Sequence, residues 1–305
     1  MYRSYLFSPA SDMRKMEKSL WSGADAVILD LEDAVAPDQK DAARDNLARF
    51  LDRLPQGDGR PAVFVRVNGA GTPWFERDLK AVYRPQLAGY MIPKVESRED
   101  LELADAALTQ SAGRTAEFEI VPFVESAQAL LRLPDIVQGQ QRVRRAVLGG
   151  EDLATDAGLQ LSPGGLALVV PRALMAIFSR AAGLEPPVDT VYAAFRDEDG
   201  LRAELGRAKE LGCFGKLAIH PAQVPVINEA FTPAAQEVAW ARRVLDAFGE
   251  SLALGRGVGS AHGAMVERPI AERARRLLAL AQAVEERQRE TPAAGEPDRP
   301  AKEGG

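Results

Sequence analysis

The sequence predicts an α/β fold: a (β/α)8 TIM barrel with a C-terminal helical arm. Eight short apolar or β-branched runs alternate with amphipathic helical segments, the pattern of a parallel sheet with right-handed crossovers. Eight is also the number that closes a barrel, an open doubly wound sheet being the alternative. Finally, several runs stop on charge: VILDLED (27–33), VFVRVN (63–68), IVPFVES (120–126) and RAVLGGED (145–152). An acid that ends an apolar run sits at the rim of a sheet, and in a barrel the C-terminal rim is the active face.

The first strand is expected at RSYLFS (3–8). SPASDMRKMEK (8–18) then turns into a helix with Ser11 or Asp12 as N-cap and Met13, Met16 and Leu20 as the buried stripe. AVILDL (26–31), AVFVRV (62–67), GYMIPK (89–94), EIVPFV (119–124) and RAVLGG (145–150) are the next strands. AARDNLARFLDRL, REDLELADAAL and AQALLRLPDIV supply helices between them. PRALMAIFSRAA and LRAELGRAKELG flank the seventh strand, PVDTVY (187–192), and KLAIHP (216–221) is the eighth. Residues 1–230 form the barrel and 231–290 the arm. The arm is a helix from Thr232-Pro233 to about Leu254, a flexible hinge at GRGVGSAHG (255–263), and a helix from about Pro269 to Arg289. The tail, 291–305, has no apolar content to fold around and is expected to be disordered.

A chain of 305 residues can bury a large core, and its formal charge of −6 argues against nucleic acid or an anionic membrane as partner. A single cysteine, Cys213, allows no internal disulfide. MYRSYLF leads straight into a strand without leader composition, and no apolar run reaches membrane-spanning length, so a cytoplasmic protein is expected.

Glu125 and Asp152 either cap the helices that follow them or share a Mg²⁺, which keeps several waters and leaves room for an oxygen-bearing substrate. Arg66, among β-branched residues, needs a partner: it is either an ion pair with Asp30 or Glu32, or a clamp on a carboxylate or thioester oxygen. Asp30, Glu32 and Asp33 crowd three acids into four residues and read mainly as a shell orienting Arg66 and metal-bound water. Arg14 and Lys18 share one helix face, either solvated or gripping phosphates. The glycines of GRGVGSAHG follow a helix, so they are no dinucleotide fingerprint. Two histidines in dissimilar contexts, with Ser126 in no nucleophile elbow, argue against a hydrolase triad. QQRVRR (140–145) reads as a charged loop entering a strand, and Cys213 as a small buried residue.

RSYLFSPA, GADAVILDLEDAVAPDQKDAAR, PKVES, PFVES, GGEDLATDAG and GKLAIHPAQVPVINEAFTP resemble the citrate lyase β-chain and malyl-CoA/citramalyl-CoA lyase family, from Tyr2 to about residue 285. The resemblance implies a (β/α)8 barrel of the phosphoenolpyruvate/pyruvate superfamily type. It also implies a Mg²⁺-dependent carbon–carbon lyase that makes or cleaves a β-hydroxyacyl-CoA, yielding an acyl-CoA and a keto acid such as glyoxylate or pyruvate. Such proteins form homotrimers or dimers of trimers. Carried over by position, Glu125 and Asp152 match the metal ligands and Arg66 the arginine on the substrate. Phe7, Arg14, Lys18, Ile219 and His220 match contacts to CoA. The family's arm brings an acid to a neighbouring subunit in a Met-Ile-Asp-x-Pro motif. Here the motif is Met265-Val266-Glu267-Arg268-Pro269, with Glu267 where Asp is usual. A carrier-protein lyase subunit, a malyl-CoA thioesterase and a non-catalytic CoA-binding subunit are the alternatives.

Overall fold

In the computed structural model the elements run β1 (Ser4–Pro9), α1 (Met13–Ser19), β2 (Ala26–Asp30), α2 (Lys40–Asp52), β3 (Ala62–Arg66), α3 (Phe75–Val82) and β4 (Gly89–Ile92). There follow α4 (Arg98–Ala112), β5 (Glu119–Val124), α5 (Ala127–Val137), β6 (Val147–Leu148), α6 (Gly150–Asp156), α7 (Val169–Ala181), α8 (Glu198–Glu210) and β7 (Lys216–Ala218). The chain ends in α9 (Gln223–Phe231), α10 (Ala235–Ala253), β8 (Gly259–Ala261), β9 (Ala264–Val266) and α11 (Arg268–Glu290). Residues 1–54, 60–113, 116–162, 164–255, 257–261 and 264–290 are described. The tail at 291–305 lies outside them. Among the described residues no helix is long and apolar enough to cross a membrane.

β1 to β7 form one parallel sheet in the order β6-β5-β4-β3-β2-β1-β7. Side chains alternate between its faces with a period of two. Ala26, Ile28, Phe64, Met91, Val121, Phe123 and Leu217 pack together on one face, while Val27, Leu29, Val63, Val65, Tyr90 and Ile92 meet the outer helices. Both faces are therefore covered, as the near-continuous apolar runs require. Two steps on from Ile28 and Phe64, the same parity puts Asp30 and Arg66 on the inner face, and the β2–β3 register sets them side by side.

The expected seventh strand is not one. Within PVDTVY only two residues pair: Val188 bridges Val147 of β6, and Asp189 bridges Lys216 of β7, both parallel. Backbone bonds run to both sides, Leu148 N–H to the Val188 carbonyl (2.9 Å) and Leu217 N–H to that of Asp189 (3.0 Å). Pro186 and Pro187 explain the short span, since neither has an N–H to give a ladder. Buried ions hold the segment instead. Asp189 accepts from Arg172 Nε (2.6 Å) and Lys216 Nζ (2.6 Å), and the same Nζ reaches Glu204 (2.6 Å).

Thr232 does not cap the arm's first helix. It closes α9, its Oγ1 accepting from Arg3 (2.9 Å) and donating to the Asn228 carbonyl (2.7 Å), and α10 starts three residues later. Of the glycine-rich stretch expected as a hinge, Gly259–Ala261 form β8, which pairs antiparallel with β9, and residues 256, 262 and 263 lie outside the described residues. Ala241, Val244 and Phe248 of α10 pack on Val266, Ala271 and Ala274 in a cluster that contains no residue of the seven-stranded sheet. The far end of α11 meets the sheet and α9: Val284 packs with Leu6 and Ile227, and Arg287 Nη2 donates to the carbonyl of Asp25 (3.0 Å).

Asp189→Ala leaves the buried Arg172 and Lys216 with Glu204 as their one remaining shared carboxylate, a loss of about 3–5 kcal/mol. Urea unfolding of the variant should show it; a loss below about 1 kcal/mol would mean that the ion cluster does not hold this segment.

Candidate active site

The site is the last inward-facing layer of the sheet. Asp30 ends β2, and its carboxylate accepts backbone N–H groups of Glu32 (2.9 Å) and Ala34 (3.1 Å), which fix the turn beyond the strand. Its two oxygens also take Arg66 Nε (2.7 Å) and Nη2 (2.8 Å) in a bidentate pair. Arg66 Nη1 lies 2.9 Å from Glu32 and 3.5 Å from Asp33. Phe7 and Phe123 pack against the guanidinium, at 4.7 and 5.6 Å from its carbon to the ring centroids. Burial alone would lower the Arg66 pKa, but Asp30 and Glu32 more than reverse that, so the guanidinium stays charged. Both sequence readings of Arg66 are thus open at once: three donors are engaged, and a guanidinium has five.

Glu125, one step past β5, is 5% exposed. Its Oε2 accepts the Lys94 N–H at 2.8 Å. Burial, then the charges of Glu32 and Asp152, push its carboxyl up to about 8. The strand ends make room for it: a Cβ on Gly149 would lie 2.2 Å from Glu125 Cγ. Asp152 is exposed in the first turn of α6. Thr190 Oγ1 anchors that turn by accepting the Gly150 N–H at 2.9 Å. Lys94 Nζ donates to Glu32 Oε1 at 2.7 Å. Burial pushes the Glu32 carboxyl up despite Arg66 and Lys94, and its Oε2 is buried without a well-directed hydrogen bond.

A hard cation fits this donor set: two carboxylates of different strand ends, a glycine cradle and an under-satisfied carboxylate oxygen beside them. Among the described residues no three His, Cys, Asp or Glu side chains gather as a ready cage, so water would fill the remaining positions.

The other expected residues lie apart from the acids. Arg14 and Lys18 are exposed on α1 and make no ion pair among the described residues. Asp12 caps that helix by accepting the Lys15 N–H (3.1 Å), so one of the backbone donors expected for phosphate is already used. Ile219 is 42% exposed after β7, and His220 stacks on Phe195 with ring centroids 4.8 Å apart. The two sets flank one another, because β1 and β7 are adjacent strands. The His220 side opens a cleft of about 370 Å³ lined by Phe195, Arg196 and Gln223. A larger cleft of about 720 Å³, lined by Arg3, Thr232 and Gln288, lies at the root of the arm, far from the acids in the fold. Its charges are already paired, Arg202 with Glu229 and Lys209 with Glu237.

Glu267 precedes α11, its carbonyl accepting from Ile270 and Ala271 (3.0 Å each). Twenty residues of helix, about 30 Å, separate it from Arg287 at the strands' N-terminal edge. No contact among the described residues joins it to the acids of its own chain.

Sequence reasoning missed Lys94, Gly149 and Thr190; the glycine pair was the only visible signal. QQRVRR is, as expected, a charged loop that enters β6. Arg145 is buried at the opposite edge, bonding Glu119 (2.8 Å) and Tyr5 (2.9 Å), because its strand's inward parity takes it into the sheet.

The profile of the HpcH/HpaI aldolase/citrate lyase family matches residues 3–221. A (3S)-malyl-CoA thioesterase of Cereibacter sphaeroides is 39% identical over 93% of this chain and 95% of its own. The human mitochondrial citramalyl-CoA lyase is 30% identical, over 93% of this chain and 87% of its own. Among solved structures, CitE from Mycobacterium tuberculosis in complex with magnesium, acetoacetate and coenzyme A superposes with a TM-score of 0.73 at 30% identity, covering 92% of this chain and 97% of that one.

A buried carboxyl with a raised pKa stabilises the fold fully below its unfolded pKa, near 4.5, and loses that contribution as pH rises through about 8. Glu125→Gln should therefore gain stability over the metal-free wild type between those limits and hold a constant lead above them. Denaturant midpoints across the range would show it; a gap that does not change with pH would mean Glu125 ionises normally.

Proposed function

This chain belongs to the HpcH/HpaI aldolase/citrate lyase family, and we propose that within it the protein is a Mg²⁺-dependent carbon–carbon lyase acting on a β-hydroxyacyl-CoA. The observation that carries this reading is the pairing of Glu125 and Asp152 with an Arg66 that Asp30 holds rigidly beside them. We read Val188 and Asp189 as the eighth strand of a (β/α)8 barrel, which gathers these residues at its C-terminal mouth.

Glu125 and Asp152 are the metal's carboxylate ligands in this proposal. Bound Mg²⁺ would polarise the oxygens of the keto-acid half and offset its negative charge. Cleavage begins when the substrate hydroxyl loses its proton. The carbon–carbon bond then breaks, its electron pair passing to the acyl-CoA half as an enolate and the oxygen-bearing half leaving as glyoxylate or pyruvate. Arg66 turns its free donors to the enolate oxygen, where charge develops. Glu267 of a neighbouring subunit carries the proton, which returns to the enolate carbon. Phe7, Arg14, Lys18, Ile219 and His220 border the route of the CoA chain, with the cations of α1 on its phosphates. In this proposal the chain assembles as a trimer or dimer of trimers, which would bring Glu267 of one subunit to the acids of the next.

A second reading has a specific observation behind it: the thioesterase name of a relative 39% identical to this chain. In it the same carboxylates direct water at the thioester carbonyl, and the thiol leaves. Malyl-, citramalyl- and citryl-CoA, assayed with free thiol and keto acid followed separately, divide the two. Keto acid without thiol supports the lyase. Thiol without keto acid overturns it.

Glu125→Gln and Asp152→Asn should each lower kcat at least 100-fold without lowering the melting temperature. Glu267→Gln and Arg66→Ala should each be nearly inactive, yet regain part of the activity when mixed and allowed to exchange subunits, because some hybrid sites then hold both residues. Wild-type turnover by Glu267→Gln would sink the shared site.

A further inference from the structure

Lys94 is the one non-glycine residue with a positive φ, 54°, among the described residues. That left-handed region crowds a Cβ against the backbone, and only glycine, or at lesser cost asparagine, enters it freely. Such an outlier persists where its surroundings over-determine it, and Lys94 is held at both ends. Its backbone N–H donates to Glu125 Oε2 (2.8 Å), and its Nζ donates to Glu32 Oε1 (2.7 Å). Pro93 stiffens the approach from β4.

The two bonds do different work. An ion pair with Glu32 needs only a long cationic side chain and any backbone conformation. The bond to Glu125 needs the N–H turned toward the rim, which is what the left-handed backbone supplies. With Oε2 engaged in this way, Glu125 has its other oxygen left to offer a cation. We propose that Lys94 is a positioning residue: its ammonium, anchored on Glu32, pays for a strained backbone that aims one N–H at Glu125 and so orients the carboxylate for metal. It also joins the metal carboxylate to the acid that holds Arg66, so the two halves of the site move as one unit. This rests on the metal reading of Glu125 above, and not on which CoA ester is cleaved.

The test compares three variants by Mn²⁺ affinity, read by electron paramagnetic resonance on the full chain. Lys94→Ala loses the anchor but keeps the Cβ, so its backbone relaxes, the N–H swings off Glu125, and affinity falls roughly tenfold or more. Lys94→Gly loses anchor and strain together and keeps the N–H in place, so affinity stays within about threefold of wild type. Lys94→Asn, which tolerates the left-handed region, falls between them. Thermal melting should show the same reversal, with glycine at least as stable as alanine, although glycine elsewhere is the costlier residue. Equal losses in Lys94→Ala and Lys94→Gly, or none in either, overturn the proposal and reduce Lys94 to a charge partner of Glu32. A wild-type chain that binds no Mn²⁺ overturns it too. Wild-type Mn²⁺ binding with the expected order of variants, but no carbon–carbon cleavage, would instead reject the lyase and leave Lys94 in its role.

Discussion

Arg66 carries a full charge at 7% exposure, and the upper half of the sheet is arranged around keeping it there. An unpaired guanidinium at that depth would cost far more than a single mutation can absorb. Asp30 meets it with two oxygens from the adjacent strand, in register. That carboxylate in turn is held by two backbone N–H groups of the turn it precedes, so neither partner is free to rotate. The rigidity comes from strand pairing below and a closed turn above. Glu32 is then placed by the same turn, Lys94 by Glu32, and Glu125 by the Lys94 backbone. A single ion pair thus sets the geometry of three further residues.

The sheet separates two charged layers by an apolar one. At the N-terminal edge Arg145, Glu119 and Tyr5 close the inner face, and at the C-terminal edge Asp30 and Arg66 open it. Between them Ile28, Phe64, Met91 and Val121 exclude water. In the lower layer Arg145 is paired with Glu119, Glu185 and Tyr5, whereas in the upper one Arg66 keeps spare donors beyond those taken by Asp30 and Glu32. Identical parity therefore yields structure at one edge and chemistry at the other.

Alternation made much of this legible in the sequence. VILDLED and VFVRVN state both the strands and the charges that end them, and β5 falls on EIVPFV at the residues expected. What escaped was set by tertiary geometry. A lysine in the left-handed region leaves no trace in composition, because Lys94 owes its conformation to Glu32 and Glu125, distant in sequence. QQRVRR showed a charged loop entering a strand, but a run of arginines does not say that Arg145 is the one pointing inward. PVDTVY had strand composition, yet two prolines and a buried ion cluster reduced it to a pair of bridges. Within the glycine-rich stretch, the pairing of Gly259–Ala261 with β9 is likewise something composition does not foretell.

Charge balance gives the arrangement its chemical sense. At the rim five carboxylates, Asp30, Glu32, Asp33, Glu125 and Asp152, face two cations, Arg66 and Lys94. Asp30 and Glu32 already consume both cations. An anionic substrate would meet net negative charge, and burial, with neighbouring acids adding to it, pushes the carboxyls of Glu32 and Glu125 up in pKa. Removing acids would relieve the repulsion but would also release Arg66. A dication between Glu125 and Asp152 would relieve it without disturbing the pair below, and would turn the repelling half of the rim into an attracting one. The Lys94 N–H holds Glu125 in place whether or not that charge is present. On the proposed reading, the acids that make the empty rim unfavourable are those that make it receptive once a cation and a keto acid arrive together.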